Sequence, residues 1–177
     1  MNLPNKLSIL RVLCIPVIVV LLYMQTNECR IAAGIVFILA SFTDFLDGFI
    51  ARKYKLVTDF GKFIDPVADK LLVLVTLIMM LHCKLMEAWI IVVVLARELA
   101  VDGLRMVAVN QGKVIAASKL GKIKTTCQMI LIIVSILFNI PVLSTWYMIA
   151  MSAIVVAITL LSAVDYFVRN RKVFVTK

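Results

Sequence analysis

Apolar residues run along this chain in six long blocks, roughly Leu7–Met24, Ile31–Lys53, Asp59–Leu81, Ala88–Asn110, Lys119–Phe138 and Val142–Arg169, joined by short polar connections. A helix that crosses the hydrocarbon core needs about 20 mostly apolar residues, because each adds ~1.5 Å against a thickness of ~30 Å. All six blocks approach or exceed that length and predict membrane-spanning helices. Asn139-Ile140-Pro141 predicts a tight turn between the last two. Met1–Met24 has the look of a signal peptide, but Arg11 interrupts its apolar run and no small-residue cleavage site follows, so it predicts a retained first span. No linker, repeat or low-complexity stretch marks a second domain. The expected architecture is all-α: one polytopic domain of six transmembrane helices over residues 1–177.

Composition agrees. Apolar residues make up 63% of the chain and charged residues 16%, against about 45–50% and 25% in ordinary globular proteins. A soluble fold of this size has nowhere to hide so much apolar surface. The net charge of +9 admits nucleic acid, membrane surface or anionic substrate as partner. Position decides: the basic residues sit at the ends of apolar blocks, not on a polar tail that could track a polyanion, which favours the lipid bilayer and argues against nucleic acid. With the N-terminus in the cytoplasm, only two of the 19 Lys and Arg residues, Arg30 and Lys84, fall outside. That asymmetry fits the positive-inside rule and makes both termini cytoplasmic. The four cysteines (Cys14, Cys29, Cys83, Cys127) lack C-x-x-C spacing and the one histidine is His82, so no zinc site is expected. Cys29 and Cys83 both lie toward the outer side, where a disulfide is conceivable, but free thiols are expected.

The second to fifth blocks are apolar in one half and charged in the other. The charged halves hold Asp44 and Asp47; Asp65, Asp69 and Lys70; Arg97, Glu98, Asp102 and Arg105; and Lys119, Lys122 and Lys124. Alternating helix direction brings all of them to the cytoplasmic side. A charge at the bilayer centre costs at least ~2.5–3.5 kcal/mol, so these halves predict a shared polar cavity open to the cytoplasm. Long side chains such as Lys53, Lys55 and Lys119 can snorkel to the interface; aspartates are too short to do so.

Asp44 and Asp47 are spaced i,i+3 and Asp65 and Asp69 i,i+4, so each pair lies on one helix face. The two helices are antiparallel neighbours, and the two faces can meet at one depth. Four converging carboxylates repel unless some are protonated or cations sit among them. A hard oxygen site without His or Cys suits Mg²⁺, Mn²⁺ or Ca²⁺, and paired divalent cations are a known solution for displacement at phosphorus. Gly48 permits close approach of a ligand to the backbone, and Arg52 and Lys62 can pair with phosphate oxygens. Gly61 is expected in the turn where the chain re-enters the membrane.

The string D-x2-D-G-x2-A-R-x8-G-x3-D-x3-D, at Asp44, Asp47, Gly48, Ala51, Arg52, Gly61, Asp65 and Asp69, resembles the signature of the CDP-alcohol phosphotransferase family without departure over 26 residues. The resemblance implies a six-span fold, usually homodimeric, with the four aspartates around two divalent cations, Mg²⁺ or Mn²⁺, and Asp69 as candidate base. The N-terminal P-N-K-L-S-I-L-R, Pro4 to Arg11, resembles a motif that helps hold the nucleotide, with Asn5 as the contact. Gly48, Arg52, Gly61 and Lys62 fall on the same donor side. It also implies a multi-pass protein of the bacterial cytoplasmic (inner) membrane.

Glu98, Asp102 and Arg105 form one stripe of the fourth helix, Arg97 lies about a quarter-turn away, and Lys119, Lys122 and Lys124 open the fifth. A neutral or cationic acceptor needs no such concentration of positive charge; a phosphorylated one does. The strings A-R-E-L-A-V-D-G-L-R (Ala96–Arg105) and G-K-I-K-T (Gly121–Thr125) resemble the branch of the family that makes phosphatidylglycerophosphate. The implied reaction joins CDP-diacylglycerol and glycerol 3-phosphate, releasing CMP, with Asp69 taking the hydroxyl proton and Arg97, Arg105, Lys122 and Lys124 holding the acceptor phosphate. Internal pairing of the arginines with Glu98 and Asp102 is the alternative, and the two can coexist. Inositol phosphate is the rival acceptor. Intramembrane prenyltransferases also use acidic metal–diphosphate sites, but with more spans and well-separated motifs. A cation transporter would need access to both faces, whereas the outer halves here are uniformly apolar.

Overall fold

The computed structural model describes residues 3–54, 59–112, 115 and 118–171; inside the helices the side chains of residues 3–5, 44–54, 59, 60, 62, 63, 66, 110 and 119 fall outside that description. The described residues form six α-helices and no strand: α1 (Leu3–Tyr23), α2 (Asn27–Tyr54), α3 (Asp59–His82), α4 (Ala88–Asn110), α5 (Lys119–Phe138) and α6 (Trp146–Arg169). α1, α5 and α6 contain stretches long and apolar enough to cross a membrane. α2, α3 and α4 are as long but carry more charged residues along their length.

Helix ends are set by local chemistry. α2 starts a turn earlier than its apolar block because Thr26 Oγ1 accepts the Cys29 amide at 3.3 Å and Glu28 sits in the first turn, where a side-chain cap and a negative charge both favour a helix N-terminus. α6 starts later than its block because Ser144 folds back on the Pro141 carbonyl through both its amide and its hydroxyl, at 3.0 and 2.7 Å. Gln25, Lys84, Gly112 and Asn139 have positive φ just beyond α1, α3, α4 and α5, the left-handed residue that often ends a helix. The expected turn at Asn139 is one of them. All four cysteines are free thiols.

The chain divides into two compact units, Met1–Leu85 with Ile132–Ile140, and Met86–Leu131 with Pro141–Lys177. In the first, α1 packs along α2 and α3. Gly34 of α2 lies so close to the end of α5 that a Cβ there would stand 2.6 Å from Leu137, and Arg30 Nε donates to the Ile136 carbonyl at 2.9 Å. Burial pushes the Cys83 thiol pKa up, with Arg30 acting in the opposite sense, and the thiol lies 3.4 Å from the Leu22 carbonyl it can donate to. In the second unit α4 packs on α6, where Val101, Leu104 and Ala108 form a cluster with Tyr166.

Each unit buries polar side chains beside its apolar core while exposing aliphatic ones. α6 buries Met148, Ser152, Val155, Thr159, Ser162 and Tyr166 and exposes Ile149, Ile154, Leu160, Leu161, Val164 and Val168. α1 buries Ser8 and Arg11 and exposes Leu10, Leu13, Val17 and Val20. Water would favour the reverse arrangement. Polar groups inside and aliphatic groups outside are the arrangement that lipid selects, because a polar group facing hydrocarbon costs several kcal/mol if unsatisfied.

Candidate active site

In the first unit Asp65 and Asp69 sit four residues apart on α3, on the face that also buries Leu72 and Thr76. Both are half-buried. Ser8, wholly buried on α1, donates its hydroxyl proton to Asp65 Oδ1, and Arg11, one turn further along α1, is also wholly buried. The buried face of α1 thus presents a donor and a cation to unit 1, and Asp65 is held by a side chain from another helix. Gly61 is buried in the first turn of α3; it lies within the helix, not in the connection as its sequence context suggests, because α3 already begins at Asp59. The connection itself is short, with α2 running through Arg52 to Tyr54. Asn5 lies on α1, Asp44, Asp47, Gly48 and Arg52 on α2 and Lys62 on α3, with side chains outside the described residues.

Two aspartate carboxylates on one helix face fit a hard divalent cation rather than a soft one. The chain's one histidine, His82, is 13 residues beyond Asp69 on α3, roughly 20 Å along the axis. Among the described residues no group of three or more His, Cys, Asp or Glu gathers; the Asp44 and Asp47 side chains are not among them.

The second unit holds the basic residues. Val94, Arg97, Glu98, Val101, Leu104, Arg105 and Ala108 share one face of α4, while Val92, Leu99 and Met106 point outward. Arg97 reaches Glu98 Oε1 at 3.3 Å through Nη1 and Ser162 Oγ at 3.2 Å through Nε. Lys124, buried on α5, pairs with the same Glu98 oxygen. Arg105 Nε donates to the Tyr166 hydroxyl at 2.8 Å. A Cβ on residue 121 would stand in ordinary contact, 3.5 Å, with Arg97 Nη2, so the first turn of α5 lies against that guanidinium. Arg97 and Lys124 are therefore brought together on one carboxylate. Lys122, two residues from Lys124 and about 200° round the helix, is exposed.

The internal pairing expected for Arg97 is present, through Glu98. Sequence reasoning does not find Ser8, Ser162 or Tyr166. The available signal is spacing: Ser152, Thr159, Ser162 and Tyr166 recur at intervals of seven, three and four in an otherwise aliphatic helix, as Ser8 and Arg11 do at i,i+3.

A membrane-adapted helical fold with paired aspartates on one helix and buried cations on another agrees with the comparison to known proteins. The chain belongs to the CDP-alcohol phosphatidyltransferase family, whose model matches residues 1–164. Among its relatives is the CDP-diacylglycerol–glycerol-3-phosphate 3-phosphatidyltransferase of Bacillus subtilis (strain 168), 41% identical over 183 aligned positions that cover 96% of this chain and 95% of the relative. Proteins of the same name from Rickettsia typhi and Escherichia coli K12 are 46% and 38% identical, covering 77% and 73% of this chain and 76% and 73% of their own lengths.

Proposed function

We propose that this chain transfers the phosphatidyl group of CDP-diacylglycerol to sn-glycerol 3-phosphate, giving phosphatidylglycerophosphate and CMP. The observation that carries the reading is the 41% identity with a relative of that name over 96% of the chain. The half-buried Arg97 and Arg105, about two turns apart on α4, supply what a phosphorylated acceptor needs. In the reaction the free hydroxyl of glycerol 3-phosphate attacks the lipid-side phosphorus of CDP-diacylglycerol, and the bond from that phosphorus to the bridging oxygen breaks as CMP leaves. Asp69 accepts the hydroxyl proton. Arg52 and Lys62 hold the donor phosphates and Asn5 the nucleotide, with Gly48 and Gly61 allowing close approach. Ser8 fixes the rotamer of Asp65. Asp44, Asp47, Asp65 and Asp69 would hold two divalent cations, Mg²⁺ or Mn²⁺, which when bound supply charge stabilisation at the phosphate oxygens. Arg97, Arg105 and Lys124 hold the acceptor phosphate, and exposed Lys122 is the cation a soluble anion meets first.

The test is CMP release by the purified protein with CDP-diacylglycerol and a panel of acceptors. Turnover is expected with glycerol 3-phosphate and only background with inositol phosphate, glycerol or serine. Preference for inositol phosphate would move the chain to another branch of the family.

The same reading makes all six helices transmembrane, in one catalytic domain that acts as a homodimer in the bacterial cytoplasmic membrane. Both termini are cytoplasmic in this reading. In a background without native cysteines, Glu87→Cys should label with an impermeant thiol reagent applied to intact cells, and Arg171→Cys only after permeabilisation. The opposite pattern would show an inverted orientation.

A further inference from the structure

Two hydroxyls of α6 meet the two arginines of α4 at Nε, but Arg97 also pairs through Nη1 with Glu98 at 3.3 Å. Ser162, wholly buried, accepts from Arg97 Nε at 3.2 Å, and Tyr166, 2% exposed, accepts from Arg105 Nε at 2.8 Å. The two acceptors are four residues apart on α6 and the two arginines eight apart on α4, each pair on one face of its helix. Tyr166 is fixed by packing against Val101, Leu104 and Ala108, which leaves its hydroxyl a rigid acceptor. Asp165, its neighbour, is engaged by Arg169 at 2.6 Å.

A guanidinium is a planar fork of five N–H donors. Gripping it at Nε fixes the plane of the fork and leaves its Nη end as the edge that recognises an oxyanion bidentately. A carboxylate partner would hold the arginine too, but would also cancel its charge; a neutral hydroxyl orients it and keeps the charge whole. That distinction separates Arg105, held by Tyr166, from Arg97 and Lys124, both paired with Glu98.

We infer that Tyr166 is a positioning residue of the acceptor site: it holds Arg105 at Nε so that the guanidinium presents its far edge to the phosphate of the acceptor, whereas Arg97, held by Ser162 at Nε, also commits Nη1 to Glu98. The inference rests on the acceptor role given to Arg105 above. Tyr166 does not touch the reacting atoms, and it lies beyond the stretch matched by the family model.

The experiment is a double-mutant cycle on the full-length protein in detergent micelles, with Tyr166→Phe, Arg105→Ala and the pair, each substrate varied in turn. Tyr166→Phe keeps the ring in its cluster and removes only the hydroxyl. KM for glycerol 3-phosphate should rise about three- to tenfold, the scale of one lost hydrogen bond, with kcat and the KM for CDP-diacylglycerol unchanged. In the Arg105→Ala background the same change should add nothing, because the group it positions is gone. A Tyr166→Phe enzyme with unchanged KM for glycerol 3-phosphate overturns the inference, as does a full-sized effect that persists without Arg105; in both cases the acceptor role of Arg105 survives if Arg105→Ala alone raises that KM. If Arg105→Ala leaves it unchanged, the acceptor role itself falls and the positioning role falls with it.

Discussion

Asp65→Asn should lower phosphatidyl transfer by at least about a thousandfold while the protein stays folded. The substitution keeps shape and removes charge at a half-buried position gripped by Ser8. Asparagine can still accept from Ser8, so packing of α1 on α3 is preserved. What is lost is a hard anionic donor for a divalent cation. Removing one group that stabilises developing charge commonly costs 10²–10³ in rate, and a metal ligand takes more with it; a thousandfold is about 4 kcal/mol of barrier. Asp44→Asn and Asp47→Asn should match it. Direct Mn²⁺ binding, read by electron paramagnetic resonance on the purified protein, should weaken in parallel, and elution on size exclusion should not change. Near-normal turnover in any of these variants, or in the wild type after chelation, would contradict a catalytic role for the metal.

Arg105→Ala should reduce kcat/KM for glycerol 3-phosphate about ten- to 150-fold, corresponding to roughly 1.5–3 kcal/mol for a charge-assisted hydrogen bond. The apparent affinity for CDP-diacylglycerol should hardly move, because the groups assigned to the donor, Asn5, Arg52 and Lys62, belong to α1, α2 and α3. Lys122→Ala should cost only a few-fold, as expected of an exposed charge screened by water and salt. The measurement is steady-state kinetics with each substrate varied at saturating levels of the other. A loss confined to CDP-diacylglycerol would transfer Arg105 to the donor site.

The helices are legible in the sequence because hydropathy sets them: α4 and α5 begin and end with their apolar blocks. Boundaries shift where a side chain intervenes, as Thr26 does for α2 and Ser144 for α6. The spacing of Asp65 and Asp69 also suffices to place them on one face. What spacing does not give is the partner across the interface. Ser8 and Tyr166 lie in helices whose composition is overwhelmingly aliphatic, and only the packed structure shows that their polar stripes are turned inward against Asp65 and Arg105. Lys122 and Lys124 form a group in one dimension, yet the pitch of α5 buries one against Glu98 and exposes the other.

The most direct measurement supplies the purified protein with CDP-diacylglycerol, a divalent cation and glycerol 3-phosphate carrying ¹⁸O in its primary hydroxyl. Attack of that hydroxyl on the lipid-side phosphorus requires a phosphatidylglycerophosphate product that retains the label, formed in equal amount with unlabelled CMP. Label lost from the lipid or found in CMP, or a chain that releases CMP equally well with free glycerol, would contradict it.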